Sequence, residues 1–573
     1  MKFIVKKEFW ALLLVLVSGV LASRHLFGVG YFSMHDDLQM MRQLQMEKCF
    51  LDGQFPCRWV PDMGFGFGFP LFNFYPPLPY LVGQGIRVLG FEFVDTAKIL
   101  FAISLIASGL AMYLLAKQFF GRTGGVLASV FYVWVPYHAV DVFVRGAMNE
   151  SWALIWFPLI LWSSYKLISD PPSPRLRKGT VRWIIVLALS WFGLLTSHNL
   201  MVMIFTPLFG VWALIWLVYY KAYNKIPHLI LVGLWAFGLA AFFTLPAVFE
   251  NKYTHIESAV GGYYDYSAHY ASIKQLLFSR FWGYGPSVWL EADDGMSFQI
   301  GHVHWIGSMV VGLYVVYRFI RRRKIDRLII LGGLFFVSGW FSAFLVHSRS
   351  VFIWKAIYPL EFLQFPWRML ALVILSFSVL IGTLVYVFPR GFKRLGALVL
   401  IVFLVAWNWN YFRPNNGKLG PLTDEEKFSG EAWKIQQTAG IYDYLPKAAD
   451  VAPTGGYYGL AEFMEGEGVI GGEEKGTDWF EFDVDVESEL AVVRINNFDF
   501  PGWTVRADGE VTEHYVAEEE VWGRMWIELP AGEHKVTGKF EDTPVRSIGN
   551  SLSLVSWLVL GGVVIYRRKD IFT

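Results

Sequence analysis

A histidine and two adjacent aspartates stand in SMHDDLQMM, residues 33–41, directly after a long apolar run. Carboxylates at the exit of a membrane segment are costly unless they are solvated or used. Asp36 and Asp37 are therefore the first candidates for proton-accepting chemistry, with His35 beside them as a ligand for a hydroxyl or a phosphate. Neighbouring carboxylates raise each other's pKa, which suits a base. In a helix the two would point about 100° apart, so only one would face a substrate. Ser33 and Asp36 also have the spacing of a capping box, with Asp in the usual Glu place, opening a helix through LQMMRQLQMEK. That reading uses one aspartate and leaves the other.

Guanidinium groups are the natural partners of a phosphate, and Arg42, Arg58, Arg145 and Arg368 are the candidates. Arg368 follows QFPW at the outer end of an apolar run, at headgroup depth. Glu150 falls in a short outer turn between two apolar runs, and His198 in the turn TSHN. Both should border the same external cavity, Glu150 as a second acid or metal ligand and His198 as a hydrogen-bonding partner of sugar or phosphate. Glu361 and Gln364, on the approach to Arg368, read as polar lining. His255, His269, Asp293, Asp294, His302 and His304 populate a long loop, but their spacing defines no metal set. That loop reads as a lid or a substrate-contacting segment. Cys49 and Cys57 are the two cysteines; outside the cytoplasm a disulfide between them is permitted, and two free thiols are the alternative.

The elements that must hold these residues follow from composition. The chain of 573 residues is 55% hydrophobic, 18% aromatic and only 17% charged, with its apolar residues in blocks about 20 long. This excludes a soluble protein and predicts a polytopic helical membrane protein. The apolar runs lie near 10–30, 97–118, 125–143, 152–168, 181–197, 200–220, 229–249, 304–320, 328–346, 369–388, 395–411 and 549–566, which makes about twelve spans. Alternate loops then hold Lys117 and Arg122; Arg175, Arg177, Lys178 and Arg182; Lys221 and Lys225; Arg318, Arg321–Lys324 and Arg327; Arg390, Lys393 and Arg394; and Arg567–Lys569. All are basic, as cytoplasmic loops should be, which places both termini inside. The run GVLAS would also fit a cleavage site, and either reading leaves SMHDDLQMM outside.

The outer segments differ in character. Residues 31–96 and 251–303 are large external loops within a transmembrane part covering 1–412. Residues 413–547 carry 28 acidic and 12 basic residues from Arg413 to Arg546, and read as a water-exposed, mainly β domain with a sandwich as its default architecture. Residues 548–573 form the last span and a basic tail. Within the first loop, LDGQFPCRWVPDMGFGFGFPLFNFYPPLPYLVG is too rich in Gly and Pro for regular structure, and its aromatic residues suit an interfacial belt or a wall against lipid or sugar.

HDDLQMMRQLQ followed by DGQFPCRWVPDMGFGFGFPLFNFYPPLPY resembles bacterial and archaeal membrane proteins labelled 6-pyruvoyl-tetrahydropterin synthase-related, of the YfhO-like kind. FVRGAMNESWA, LTSHNLMV, LEFLQFPWRML and the phrase FPGWTVRADG with LPAGEHKVTGKF extend the likeness over nearly the whole chain. These proteins are placed with the GT-C glycosyltransferases. The resemblance implies a GT-C-like membrane domain in the plasma membrane, an active site and β domain outside the cytoplasm, and sugar transfer with inversion from a polyprenyl-phosphate donor to an envelope glycan or lipid-linked acceptor. It assigns Asp36 or Asp37 a place beside the acceptor or a divalent metal such as Mg or Mn. The pterin label has no support in the residues, since the HVH pair at 302–304 lacks a third zinc ligand. A flippase of lipid-linked saccharides and a non-catalytic glycan-binding scaffold are the rival readings. Nothing points to nucleic acid.

Overall fold

The computed structural model describes residues 2–170, 178–287, 295–389, 391–415, 420 and 422–568. Arg175, Arg177, Asp293, Asp294, Arg390 and Lys569 lie outside these residues. Long apolar segments become helices because only a helix satisfies its own backbone in hydrocarbon. Among the described residues, eight helices are long and apolar enough to cross a membrane: Phe93–Val133, Asn199–Tyr220, Tyr223–Phe249, His302–Arg322, Arg327–Val346, Pro366–Tyr386, Lys393–Tyr411 and Pro544–Tyr566. Lys2–Ala22, Met148–Ser169 and Lys178–Leu195 are helical as well. The chain is a multi-pass membrane protein.

The first of the eight is a hairpin. Gly121 sits at φ 69° and ψ −175°, a conformation suited to glycine, and reverses the chain. Its two arms then lie side by side, with Ser129 Oγ donating to the Gly109 carbonyl at 2.7 Å. Phe93 and Val94, at the open end, donate their N–H groups to Asp424 at 2.8 and 2.9 Å. Arg122, at the turn, pairs with Glu8 at 2.8 Å. The hairpin therefore has its acidic-domain end and its basic end at opposite poles.

The second arm stops at Val133, short of the 125–143 run expected as one span. Pro136 starts a short helix that ends at Val140, and a wide turn over Asp141–Arg145 closes on Gly146 at φ 65°. Glu150 consequently lies in the first turn of the helix Met148–Ser169, buried, instead of in an exposed outer turn.

The acidic segment forms an antiparallel sheet of six strands: β1 (Ala461–Glu465), β2 (Gly468–Lys475), β3 (Trp479–Phe498), β4 (Trp503–Ala507), β5 (Glu510–Thr512) and β6 (Arg524–Phe540). Its order is β1-β3-β6-β4-β5, with β2 also on β3. The two halves of the expected sandwich are not separate sheets. β3 and β6 run through both halves, and their register shifts between Val486 and Leu490.

The first loop fills the core of this sheet. Trp59 is fully buried, with ring centroids 5.5 Å from Trp503 and 5.1 Å from Phe540. Phe67 lies 5.7 Å from Phe498 and 5.1 Å from Tyr457. A Cβ on Gly68, at φ 86°, would fall 2.3 Å from Trp59 Nε1, so only glycine lets the loop fold back there. Cys49 and Cys57 are bonded at its start, with Cα atoms 5.5 Å apart. Trp59 and Phe67 are thus recruited by the apolar face of the acidic sheet, whereas Phe74 and Tyr75, further along the loop, line the cavity where the sheet domain meets the helix ends.

One buried polar knot joins three parts of the chain. Arg546, with no exposed surface, donates to Glu250 at 2.9 Å and to the Pro501 carbonyl at 2.8 Å. Glu250 also accepts from Asn73 at 2.6 Å and from Thr543 at 2.5 Å. The end of the helix Ile226–Phe249, the first loop and the start of the last helix meet here.

Candidate active site

Where the sheet domain meets the helix ends there is a cavity of about 1130 Å³. His35, Asp36, Asp37, Arg42, Arg145, Glu150, His198, Gln364 and Arg368 all line it. Arg58, Glu361 and the disulfide do not. Arg58 donates to Asn550 at 2.7 Å and to Asn73 at 3.3 Å and lies 3.6 Å from Asp542, so it ties the first loop to the last helix and is not a phosphate ligand. Glu361 engages Tyr358, away from the cavity.

The two aspartates precede the helix Gln39–Leu51 in a turn, not in the helix itself. The helix begins after Leu38 with no side-chain cap, so neither aspartate serves the capping box. Instead the turn is held by the backbone, His35 N–H donating to Val144 O at 3.1 Å and Asp36 N–H to Arg145 O at 2.9 Å. Each carboxylate then meets its own cation. Asp36 accepts from Arg42 at 2.7 Å and from Gln39 at 3.2 Å. Asp37 accepts from Lys427, which the acidic domain supplies. Burial nevertheless raises the Asp37 carboxyl above its usual range, against the pull of Lys427.

A second cluster faces them. Arg145 pairs with Asp141 at 2.6 Å and with Glu150 at 2.8 Å, and Tyr137 donates to Glu150 at 2.5 Å. Glu150 is thereby a structural counter-ion that orients Arg145. Arg368 is different. Its Nη1 donates to Gln364 Oε1 and to the Leu363 carbonyl, both at 2.9 Å, while Glu150 stands 3.9 Å from its Nε. That Nε is buried without a hydrogen-bond partner. A buried guanidinium donor left open in a cavity is built for an oxyanion. Gln364 adopts φ 64° and ψ −46°, a strained conformation for a residue with a side chain, and it presents the amide that orients Arg368.

The histidines do not add charge. Burial drives His198 down to about 3, with Arg368 adding to the effect, and its Nδ1 accepts from Leu200 N–H at 3.2 Å. His35 is likewise lowered by burial and contacts the Tyr284 carbonyl at 3.0 Å. The loop histidines disperse: His255 onto Glu257 and the Ala449 carbonyl, His269 onto Ser287 and Tyr263, and His304 onto the Phe131 carbonyl.

Reading the sequence missed the roof. The segment from Thr423 to Leu445 brings Asp424 to the hairpin, Lys427 to Asp37, and Asp443 and Tyr444 into the cavity wall. Asp443 sits in IYDYLP, where an acid between aromatic residues was the available signal. Burial pushes its carboxyl up to about 6, Arg42 and Arg368 pulling the other way and Asp36 adding to the rise.

The resemblance implies a divalent metal at the aspartates. Among the described residues no three His, Cys, Asp or Glu side chains converge as a metal-holding group. Asp36 and Asp37 are each already committed to a cation, so the donor set does not fit a resident metal.

Fold and site together define a multi-pass membrane protein with an arginine-lined cavity roofed by the segment that leads into the sheet domain. No family model matches the sequence, so the pterin-synthase-related and YfhO-like label finds no counterpart there, and no curated protein matches either. Solved structures do. The oligosaccharyltransferase of Archaeoglobus fulgidus, crystallised with Zn and sulfate, aligns with a TM-score of 0.42 at 11% identity, covering 78% of this chain and 58% of that one. This chain thus spans under three-fifths of the oligosaccharyltransferase. ArnT from Cupriavidus metallidurans, bound to undecaprenyl phosphate, aligns with a TM-score of 0.40 at 12% identity, covering 72% and 71%. The functional reading rests on the site itself.

Proposed function

We propose that this chain is an inverting membrane glycosyltransferase of GT-C type, taking a sugar from a polyprenyl-phosphate donor and passing it to an envelope glycan or lipid-linked acceptor on the extracytoplasmic face. In this reading the chain crosses the plasma membrane twelve times with both termini in the cytoplasm. The observation that carries it is the open Nε of Arg368 in the same cavity as Asp36, Asp37 and Asp443. Such a transfer forms a bond from the acceptor oxygen to C1 of the sugar and breaks the bond from C1 to the phosphate oxygen. Charge grows on the departing phosphate, where Arg368 meets it and Arg145, locked by Glu150, backs it. The proton leaves the acceptor hydroxyl for a carboxylate of the cavity.

Two further features suit a lipid donor. Val202, Phe237 and Val248, from two apolar helices consecutive in the chain, line the same cavity and offer a prenyl chain an apolar wall. The polar lining comes from helix ends and loops, whereas a transporter would be expected to gather it on interrupted helices at the midplane.

The test is incubation of membranes holding the full chain with labelled undecaprenyl-phosphate sugars, compared with Arg368→Gln. Transfer by the wild type and its loss in the variant support the reading. Unchanged transfer by Arg368→Gln, or glycan translocation with no covalent product, overturns it.

A further inference from the structure

Among the described residues four carboxylates line the cavity, and three of them meet a cation. Asp36 is held by Arg42, Asp37 by Lys427, and Glu150 by Tyr137 and Arg145. The side chain of Asp443 forms no hydrogen bond and no ion pair with any described residue, although it faces the cavity and lies within the fields of Arg42, Asp36 and Arg368. A carboxylate clamped by a guanidinium or an ammonium loses proton affinity, whereas a buried and unclamped one keeps it.

Asp443 is also well positioned. Gly440, at φ 71°, opens the turn, and Asp443 N–H donates to the Gly440 carbonyl at 3.0 Å. The external loop pins both sides of that turn: Ser258 Oγ donates to the Tyr442 carbonyl at 2.7 Å, and His255 N–H to the Leu445 carbonyl at 3.1 Å. A base has to be held like this to meet one hydroxyl.

We propose that the Asp443 carboxylate, supplied by the segment leading into the sheet domain, takes the proton of the acceptor hydroxyl, while Asp36 and Asp37 set the positions of Arg42 and Lys427. The step rests on the transferase reading above. As the acceptor oxygen bonds to C1, its proton moves to Asp443, and the electron pair of the breaking C1–O bond leaves with the polyprenyl phosphate. Burial holds the Asp443 carboxyl up to about 6 and raises Asp37 as well, against the pull of Lys427; it keeps Tyr264 and Tyr444 neutral, drives His198 down to about 3 and lowers His35.

The experiment uses the full chain in nanodiscs with a panel of labelled undecaprenyl-phosphate hexoses and a membrane glycan fraction as acceptor, over pH 4.5–8 (about the range where carboxylates and histidines titrate). For the wild type an acid limb near pH 6 is expected. Asp443→Asn should lower kcat by about 10²–10⁴-fold, with KM within about threefold and the limb gone; Asp443→Glu should recover part of kcat and keep a limb. Asp443→Asn should also unfold no earlier than the wild type at pH 8, since it replaces an ionised buried group with a neutral one. A variant with kcat and limb unchanged would overturn the proposal while leaving the transferase reading intact, as would loss of activity accompanied by loss of stability. Absence of transfer by the wild type from every donor of the panel would overturn both.

Discussion

Replacing Arg546 by Met removes the cation at the centre of the knot that joins the first loop, the helix Ile226–Phe249 and the last helix. Arg546 is completely buried and donates to Glu250 at 2.9 Å, to the Pro501 carbonyl at 2.8 Å and to the Glu541 carbonyl at 3.2 Å. Without it Glu250, only 2% exposed, keeps Asn73 and Thr543 as donors but loses its counter-charge. Breaking one side of a buried pair costs ~3–5 kcal/mol, because the other charge is left stranded. At ~4 kcal/mol the population of open, protease-sensitive molecules rises about a thousandfold. Native-state proteolysis of the full chain at low protease, where cleavage follows the open population, measures this directly. Adding Glu250→Gln to Arg546→Met should return most of the loss, because no charge is then stranded. An effect of Arg546→Met below ~1 kcal/mol, or a double variant as unstable as the sum of its parts, would refute the reasoning.

Three further outcomes are expected. Asp443 has a folded pKa of about 6 against an ordinary 3.8, so its penalty is absent well below pH 3.8, accrues as pH rises from there to about 6, and is full above that. The stability of the wild type relative to Asp443→Asn should therefore fall by ~2 kcal/mol between pH 4 and 7, read by paired thermal unfolding curves. Trp59→Ala should cost ~3–5 kcal/mol and loosen the first loop from the sheet, seen as faster amide exchange at β4 and β6. Gly440→Ala forces φ 71° on a side chain and sets its Cβ 3.0 Å from Asp443 Oδ2; sugar transfer should fall with a cost of only ~1–2 kcal/mol in stability.

The sequence made the membrane helices legible because hydrocarbon allows a long apolar segment little else. Even the hairpin at Gly121 was foreshadowed by Lys117 and Arg122, which interrupt the apolar run. Residues at the outer ends of helices, Arg145, Glu150, His198, Gln364 and Arg368, were legible as neighbours for the same reason: topology puts such positions on one side. What defeated reading was the partner of each charge. Arg58 looked like Arg368 in sequence, yet Asn550 and Asp542, nearly five hundred residues away, absorb it. Asp36 had the spacing of a capping box, but Asp36 and Asp37 instead meet cations from Arg42 and from Lys427, the latter 390 positions on. Asp443 carried only the weak signal of an acid between aromatic residues, since its environment is made by distant segments. The burial of Trp59 and Phe67 was not legible because the periodicity of the aromatic loop is that of neither strand nor helix, and their burial depends on a sheet encoded far downstream.

That last dependence has a consequence for how the protein is made. Gly66 and the Tyr457 hydroxyl that bonds to its carbonyl are 391 residues apart. At about 5–20 residues per second, the first loop is made roughly 20–80 s before its sheet exists. For that interval Trp59, Phe67 and Phe69 have nothing to pack against. The link between Cys49 and Cys57 is the one covalent restraint available to the loop while it waits. A truncated chain lacking the sheet would remain permanently in that waiting state, and a sheet expressed alone would lack its own core. The two halves are one folding unit delivered in two instalments.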